Sequence, residues 1–169
     1  MKNSYEYRYI KSKLPESDQG TKIGICDDNN QNIAYFDLVN ESNWIAMVNN
    51  SENKEIVFTA FDYCIDVFRE NGEMDKRCDV LMTFEESLYF IELKSKVSDW
   101  QSEGIEQIEV TINNFINKIP DYYWSFKKRK AYVANKRHPS FNVTKITDME
   151  RFRDQYHVRL DLQATILIK

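Results

Sequence analysis

Arg77-Cys78-Asp79-Val80-Leu81-Met82-Thr83-Phe84-Glu85-Glu86-Ser87-Leu88-Tyr89-Phe90-Ile91-Glu92-Leu93-Lys94 reads as two runs of β-forming residues closed by a short polar turn. With Glu85–Glu86 as a two-residue loop, Phe84 faces Ser87, Thr83 faces Leu88, Leu81 faces Phe90 and Asp79 faces Glu92. A four-residue loop gives the same pairing, whereas a three- or five-residue loop turns Asp79 to the other face. Opposed residues share a face, with Cβ atoms about 4.5–5.5 Å apart. Glu92 and Lys94, two apart on a strand, project together, and Tyr89, Ile91 and Leu93 project the other way.

The register therefore predicts one cluster of Asp79, Glu92 and Lys94. Two facing carboxylates repel and are tolerated when a divalent cation lies between them. Oxygen ligands suit Mg²⁺ or Mn²⁺. Such an ion polarises a phosphoryl oxygen and lowers the pKa of a bound water. Lys94 would orient or activate that water, or offset charge building on the phosphate. The alternative is a cross-strand salt-bridge set at a sheet end. The E-x-K spacing alone carries little, because Glu52-Asn53-Lys54 repeats it inside a polar turn.

Downstream, Ile105, Ile108, Ile112, Phe115, Ile116 and Ile119 recur at helical spacing. Ser98 is the expected N-cap with Gln101 as capping-box partner, and Pro120 the stop. Gln107 and Thr111 share a face beside the isoleucine stripe. Gln107 either binds a metal-bound water or phosphate, or is a boundary glutamine on a helix flank. Lys130–Asn135 reads as a strand, Ile146–Tyr156 as a helix opened by Thr147, and Val158–Ile168 as one closing strand with its even-numbered residues on one face. Upstream, Lys22–Cys26 and Ile33–Val39 form a hairpin around the Asp27–Asn32 turn, followed by a strand at Trp44–Val48. Glu55–Phe68 is read mostly as a strand, because Val57, Phe61, Tyr63, Ile65 and Val67 alternate with smaller or polar residues and β-formers dominate, although 57, 61, 64 and 68 also fit a helix. Arg69–Lys76 is a polar turn. A meander of strands followed by alternating helices and strands predicts an α/β domain with a mixed sheet.

The 169 residues, 42% hydrophobic and 30% charged, suit one soluble domain with one core. No apolar run is long enough to span a membrane, and Met1–Tyr9 lacks a signal-peptide core, so the cytoplasm is the expected compartment. Cys26, Cys64 and Cys78 are scattered, without a CxxC pair, and read as buried free thiols. A net charge of −4 argues against nonspecific coating of nucleic acid. One basic stretch stands out: Lys127, Lys128, Arg129 and Lys130, then Lys136, Arg137 and His138. It is either a phosphate-contacting surface or a solvated loop.

Arg77-Cys78-Asp79, Glu92-Leu93-Lys94 and Glu106-Gln107-Ile108 with Thr111 resemble the PD-(D/E)xK nuclease superfamily. That family places an Asp at the start of one strand, E-x-K on the next and often a Gln on the following helix. The resemblance is strongest over 62–116. It implies a restriction-endonuclease-like mixed central sheet flanked by helices, over 55–169, with an N-terminal β extension over 1–50. It implies a metal-dependent nuclease acting in defence, repair or on mobile elements, with Asp79 and Glu92 as metal ligands, Lys94 as base or charge stabiliser and Gln107 as an accessory. An acid that the family carries before the meander has three candidates here, Glu41, Glu55 and Asp62. The expected substrate is DNA, bound through the basic stretch by a homodimer or with an associated subunit. The competing readings are a catalytically silent nuclease-like binding, immunity or accessory protein, and a hydrolase of RNA or a small molecule.

Overall fold

The computed structural model describes residues 22–27, 33–64, 68, 72–139, 141 and 143–169. The Met1–Tyr9 segment, most of the Asp27–Asn32 turn, positions 65–67 of the expected fourth strand and the start of the polar turn at 69–71 lie outside the described residues. The chain is α/β, with two mixed sheets. One sheet has the order β2-β1-β3-β9, from Ala34–Asp37, Lys22–Asp27, Ala46–Asn49 and Thr165–Leu167. The other runs β4-β5-β6-β7-β8 in chain order, from Val57–Ala60, Val80–Phe84, Ser87–Lys94, Lys128–Asn135 and Arg159–Asp161. In the five-stranded sheet β4, β5 and β6 are antiparallel, while β6, β7 and β8 are parallel. The helices are α1 (Phe61–Cys64), α2 (Trp100–Lys118), α3 (Pro120–Ser125) and α4 (Ile146–Tyr156). Parallel neighbours need a crossover, and α2 with α3 supplies it between β6 and β7, α4 between β7 and β8.

Two apolar cores sandwich the five-stranded sheet. Tyr89, Ile91, Leu93, Tyr132 and Ala134 meet Ile23, Ile25 and Val48 of the smaller sheet. On the other face Leu88, Phe90, Ala131 and Val133 meet Ile105, Ile108, Ile112 and Phe115 of α2 and Phe152 of α4. The helical spacing of the isoleucine stripe is thus the spacing of a buried face.

Several expectations change. Val158–Ile168 is not one strand. Its alternation is right, since Val158, Leu160, Leu162, Ala164, Ile166 and Ile168 are all buried. The first three enter the helix-side core and the last three the core between the sheets, because the chain leaves β8 and joins the smaller sheet beside β3. The fourth strand of the N-terminal sheet therefore comes from the other end of the chain. The expected strand from residue 55 ends at Ala60, and its buried face is Phe58 and Ala60 rather than Val57 and Phe61. Phe61 begins α1 and packs in the helix-side core, its N–H donating to the Asp79 carbonyl at 2.7 Å.

The Ser98–Gln101 capping box does not form. Asp99 is the N-cap, in the left-handed region at φ +58°, so the helix starts one residue later than that box requires. Thr147 sits inside the first turn of α4, with Lys145 at the cap. Pro120 follows the end of α2 and also opens α3 at its first position, where a missing N–H costs nothing.

Among the described residues no helix is long and apolar enough to cross a membrane. Cys26 and Cys78 are buried free thiols, as expected.

Helix α2 lies close on the sheet because residue 104 has no side chain. A Cβ there would stand 2.4 Å from Val133 Cγ1 and 3.4 Å from Glu92 Cγ. Gly104→Ala is expected to destabilise by about 1–3 kcal/mol through overpacking, measured by urea denaturation. In a double-mutant cycle Val133→Ala should recover part of that loss. Strict additivity would show that this contact does not limit the helix approach.

Candidate active site

The hairpin register is as the sequence indicates: Phe84 pairs with Ser87, Thr83 with Leu88, Leu81 with Phe90 and Val80 with Ile91. The ladder stops there, one residue short of Asp79. Asp79 is held instead by its own groups. Its carbonyl accepts the Phe61 N–H, and its carboxylate accepts the Leu93 N–H at 2.6 Å. The carboxylate thus extends the strand pairing by one step with a side chain, next to Glu92.

Glu92 is 1% exposed, on the helix side of β6. Its Oε1 lies 2.7 Å from Lys94 Nζ, and its Oε2 is buried with no hydrogen-bond partner among the described residues. Lys94 also donates to Gln107 Oε1 of α2. The Gln107 amide nitrogen donates to the Arg77 carbonyl at 3.2 Å. Asp79, Glu92, Lys94 and Gln107 therefore come together where β5 begins and β6 ends.

The site holds two carboxylates and one ammonium in a poorly hydrated place. Burial pushes the Asp79 carboxyl up to about 7, opposed by the Leu93 amide and the Lys94 ammonium and reinforced by the charges of Asp27 and Asp62. Burial also holds Glu92 well above the ordinary carboxylate value. The Asp79 charge adds to this, and Lys94 pulls against it. Desolvation of a charge that lacks full compensation is the dominant cause in both.

Among the described residues no group of three or more His, Cys, Asp or Glu side chains is arranged to hold a metal ion. Among the described residues two carboxylates converge here, and the open Glu92 oxygen is the better donor, since Lys94 already occupies the other. This set fits a small hard cation that keeps several waters and takes only one or two carboxylates from the protein. Of the candidates for a further acid, Asp62 lies on α1, 3.1 Å from Arg77 Nε, and its charge raises both site carboxyls. Glu55 lies before β4, whose first residue Val57 pairs with Thr83, so it belongs to the hairpin end of the sheet. Glu41 lies in a single 3₁₀ turn, Glu41–Asn43, between β2 and β3. Asp27, which no motif marks, closes β1, and its charge bears on Asp79. Only the docking of the smaller sheet brings it there.

The basic stretch does not form one surface. It is divided by β7, which carries Lys128, Arg129 and Lys130 at its start, and the six steps from Lys130 to Lys136 span about 19–20 Å at the usual rise. Lys127, Lys128, Arg129 and Lys130 are at the hairpin end, remote from Asp79 and Glu92. Lys127 pairs with Glu86 at 2.7 Å. Lys128 donates to the Lys169 carbonyl at 3.1 Å. Arg129 stacks on Tyr123 and Trp124 while donating to the Phe126 carbonyl, and Lys130 stands over Tyr89 and Tyr132. Lys136 and Arg137 follow the other end of β7. The Lys136 N–H donates to the Lys94 carbonyl at 2.9 Å and Arg137 Nε to the Ser95 carbonyl at 2.8 Å. His138 stacks on Trp100 in the same turn.

The raised carboxyls set a sign for pH. Asp79 binds its proton more tightly folded than unfolded. Its stabilising contribution is therefore fully present below the ordinary value of 3.8 and is lost as pH rises to about 7. Without divalent cations the melting temperature should fall over that window, and Asp79→Asn, which can still accept the Leu93 N–H, should flatten the fall. A melting temperature that climbs with pH in wild type would mean that both carboxylates are stabilised as anions.

No protein family, curated protein or solved structure matches this chain in comparisons with each.

Proposed function

We propose that this chain is a divalent-metal-dependent phosphodiesterase acting on nucleic acid, with DNA as the substrate, on a restriction-endonuclease-like fold. The observation that carries the reading is the buried Glu92 oxygen that no described residue bonds, beside a second raised carboxyl and a lysine. Strand order supports it as well. Five strands lie in chain order with β5 alone reversed, and the acids stand at the start of the second strand and the end of the third.

Bound Mg²⁺ or Mn²⁺ would supply the charge that polarises a phosphoryl oxygen and acidifies a water. Asp79 and Glu92 would hold it. Lys94, kept in place by Glu92 and Gln107, offsets negative charge on the phosphate or orients the attacking water. Gln107 has both amide ends engaged, with Lys94 and with the Arg77 carbonyl. Its part is to aim Lys94 rather than to touch water or phosphate. Within the basic stretch, Lys136 and Arg137 are the residues next to this end of the sheet and are the ones assigned to flanking phosphates. Cutting both strands of a duplex calls for two such sites, which a twofold dimer would provide.

Two observations favour a second reading, a silent binding or accessory protein. Lys94 is satisfied within the protein by Glu92 and Gln107, and no third acid converges among the described residues. Mn²⁺ titration by calorimetry on wild type and Glu92→Gln separates the two. Binding that disappears in the variant supports the metal reading, and a wild type that takes no Mn²⁺, with or without a DNA oligonucleotide, favours the silent one. In cleavage assays on DNA and RNA with Mg²⁺, Lys94→Ala is expected to lower the rate by about 10²–10⁴.

The divided basic stretch gives a separate test. Lys136→Glu with Arg137→Glu should weaken nucleic-acid binding and flatten its dependence on salt, while Lys127→Glu with Lys128→Glu should change neither. The reverse pattern in a salt-titrated binding assay would move the substrate to the hairpin end.

A further inference from the structure

Asp79 stands outside the strand ladder, so something other than strand pairing must fix the backbone that carries it. The Thr111 hydroxyl is the group in position to do so. Thr111 is 1% exposed on α2, one turn after Gln107. Its Oγ1 accepts the Cys78 N–H at 2.8 Å and donates to the Gln107 carbonyl at 2.8 Å, so both functions of the hydroxyl are used. Gln107 donates to the carbonyl of Arg77, the preceding residue. Two side chains four apart on one helix thus grip both polar ends of a single peptide group, the one joining Arg77 to Cys78, one residue before Asp79. Beyond that grip, Asp79 is tied by its carbonyl to Phe61 and by its carboxylate to Leu93.

We propose that Thr111 is a positioning residue of the site: through Cys78 it sets where the Asp79 carboxylate sits against Leu93 and Glu92. This rests on the metal reading only for its consequence, since the positioning itself is a property of the metal-free protein. A valine at 111 would keep the shape of the side chain but leave the buried Cys78 N–H without an acceptor. The segment then shifts to find one, and the Asp79 carboxylate moves with it. A serine keeps the hydroxyl and the grip.

The test is residue-resolved amide hydrogen exchange on the metal-free chain as wild type, Thr111→Val and Thr111→Ser. Exchange at Leu93 is read against Phe90 and Tyr132 in the central strands, which report general opening. The expected result is Leu93 exchange about tenfold faster in Thr111→Val relative to those controls, and restored in Thr111→Ser. A Leu93 ratio unchanged in Thr111→Val, or one raised equally by serine, overturns the proposal. Should Thr111→Val fail to fold, Thr111→Ala removes the same hydroxyl without the branched side chain, and the same ratio decides. Mn²⁺ affinity in these variants is expected to follow the Leu93 ratio. A wild type that binds no Mn²⁺ removes the metal reading, and the exchange ratio still decides the role of Thr111.

Discussion

Glu92 is a carboxylate placed inside an apolar layer with a single ammonium to balance it, and much of the local architecture follows from accommodating it. Taking such a group out of water costs several kcal/mol unless it is paired and hydrogen-bonded. Lys94 answers for one oxygen because two residues along a strand return to the same face. For Lys94 to stay there its amine needs a second acceptor, and Gln107 supplies it from α2. That demands a helix lying close against β6 and β7, which the missing side chain at Gly104 allows. Once α2 is at that distance, Thr111 reaches Cys78 and fixes the entry to β5. The second carboxylate, Asp79, is thereby delivered beside the first.

The other described elements pack on this central sheet from both sides. The helix-side core seats α2 and α4, and the inter-sheet core seats the smaller sheet. The C-terminal segment ties the two cores together, contributing Leu160 to one and Ile166 to the other without changing its alternation. The smaller sheet is more than an appendage, because Asp27 at the end of β1 adds its charge to the field on Asp79.

What the sequence disclosed, and what it withheld, divides along the range of the interactions. The hairpin of β5 and β6, the α2 stripe and the span of α4 are local patterns, each set by a period of 2 or 3.6 and a nearby breaker. They were legible, and with them the gathering of Asp79, Glu92, Lys94 and Gln107. The break between β8 and β9 was not, since alternation looks the same whether the buried residues meet one core or two. The end of β4 at Ala60 depends on a bond from Phe61 to Asp79, a contact between distant segments. The division of the basic residues into two ends is present in the sequence, because Lys130–Asn135 reads as a strand between them. A strand of that length separates its two ends by more than any side chain spans.

The polar cluster is hard to explain by stability alone. A buried ion pair is often matched or exceeded in stability by apolar groups of similar volume, and here apolar neighbours are at hand in Leu88, Phe90, Ile108 and Val133. Two carboxylates with one lysine are a worse case than a pair. The second acid is left to protonation at the expense of a raised pKa, and one oxygen of the first has no partner among the described residues. A purely structural salt bridge would need Glu92 and Lys94 only, and would place Asp79 where water reaches it. A device that must receive a cation needs the opposite: negative charge in excess, desolvated, and held still by groups that do not compete for it. On the proposed metal reading, Gln107 and Thr111 are groups of that kind. They bind the Lys94 amine and backbone groups, and neither takes the outer oxygen of Glu92.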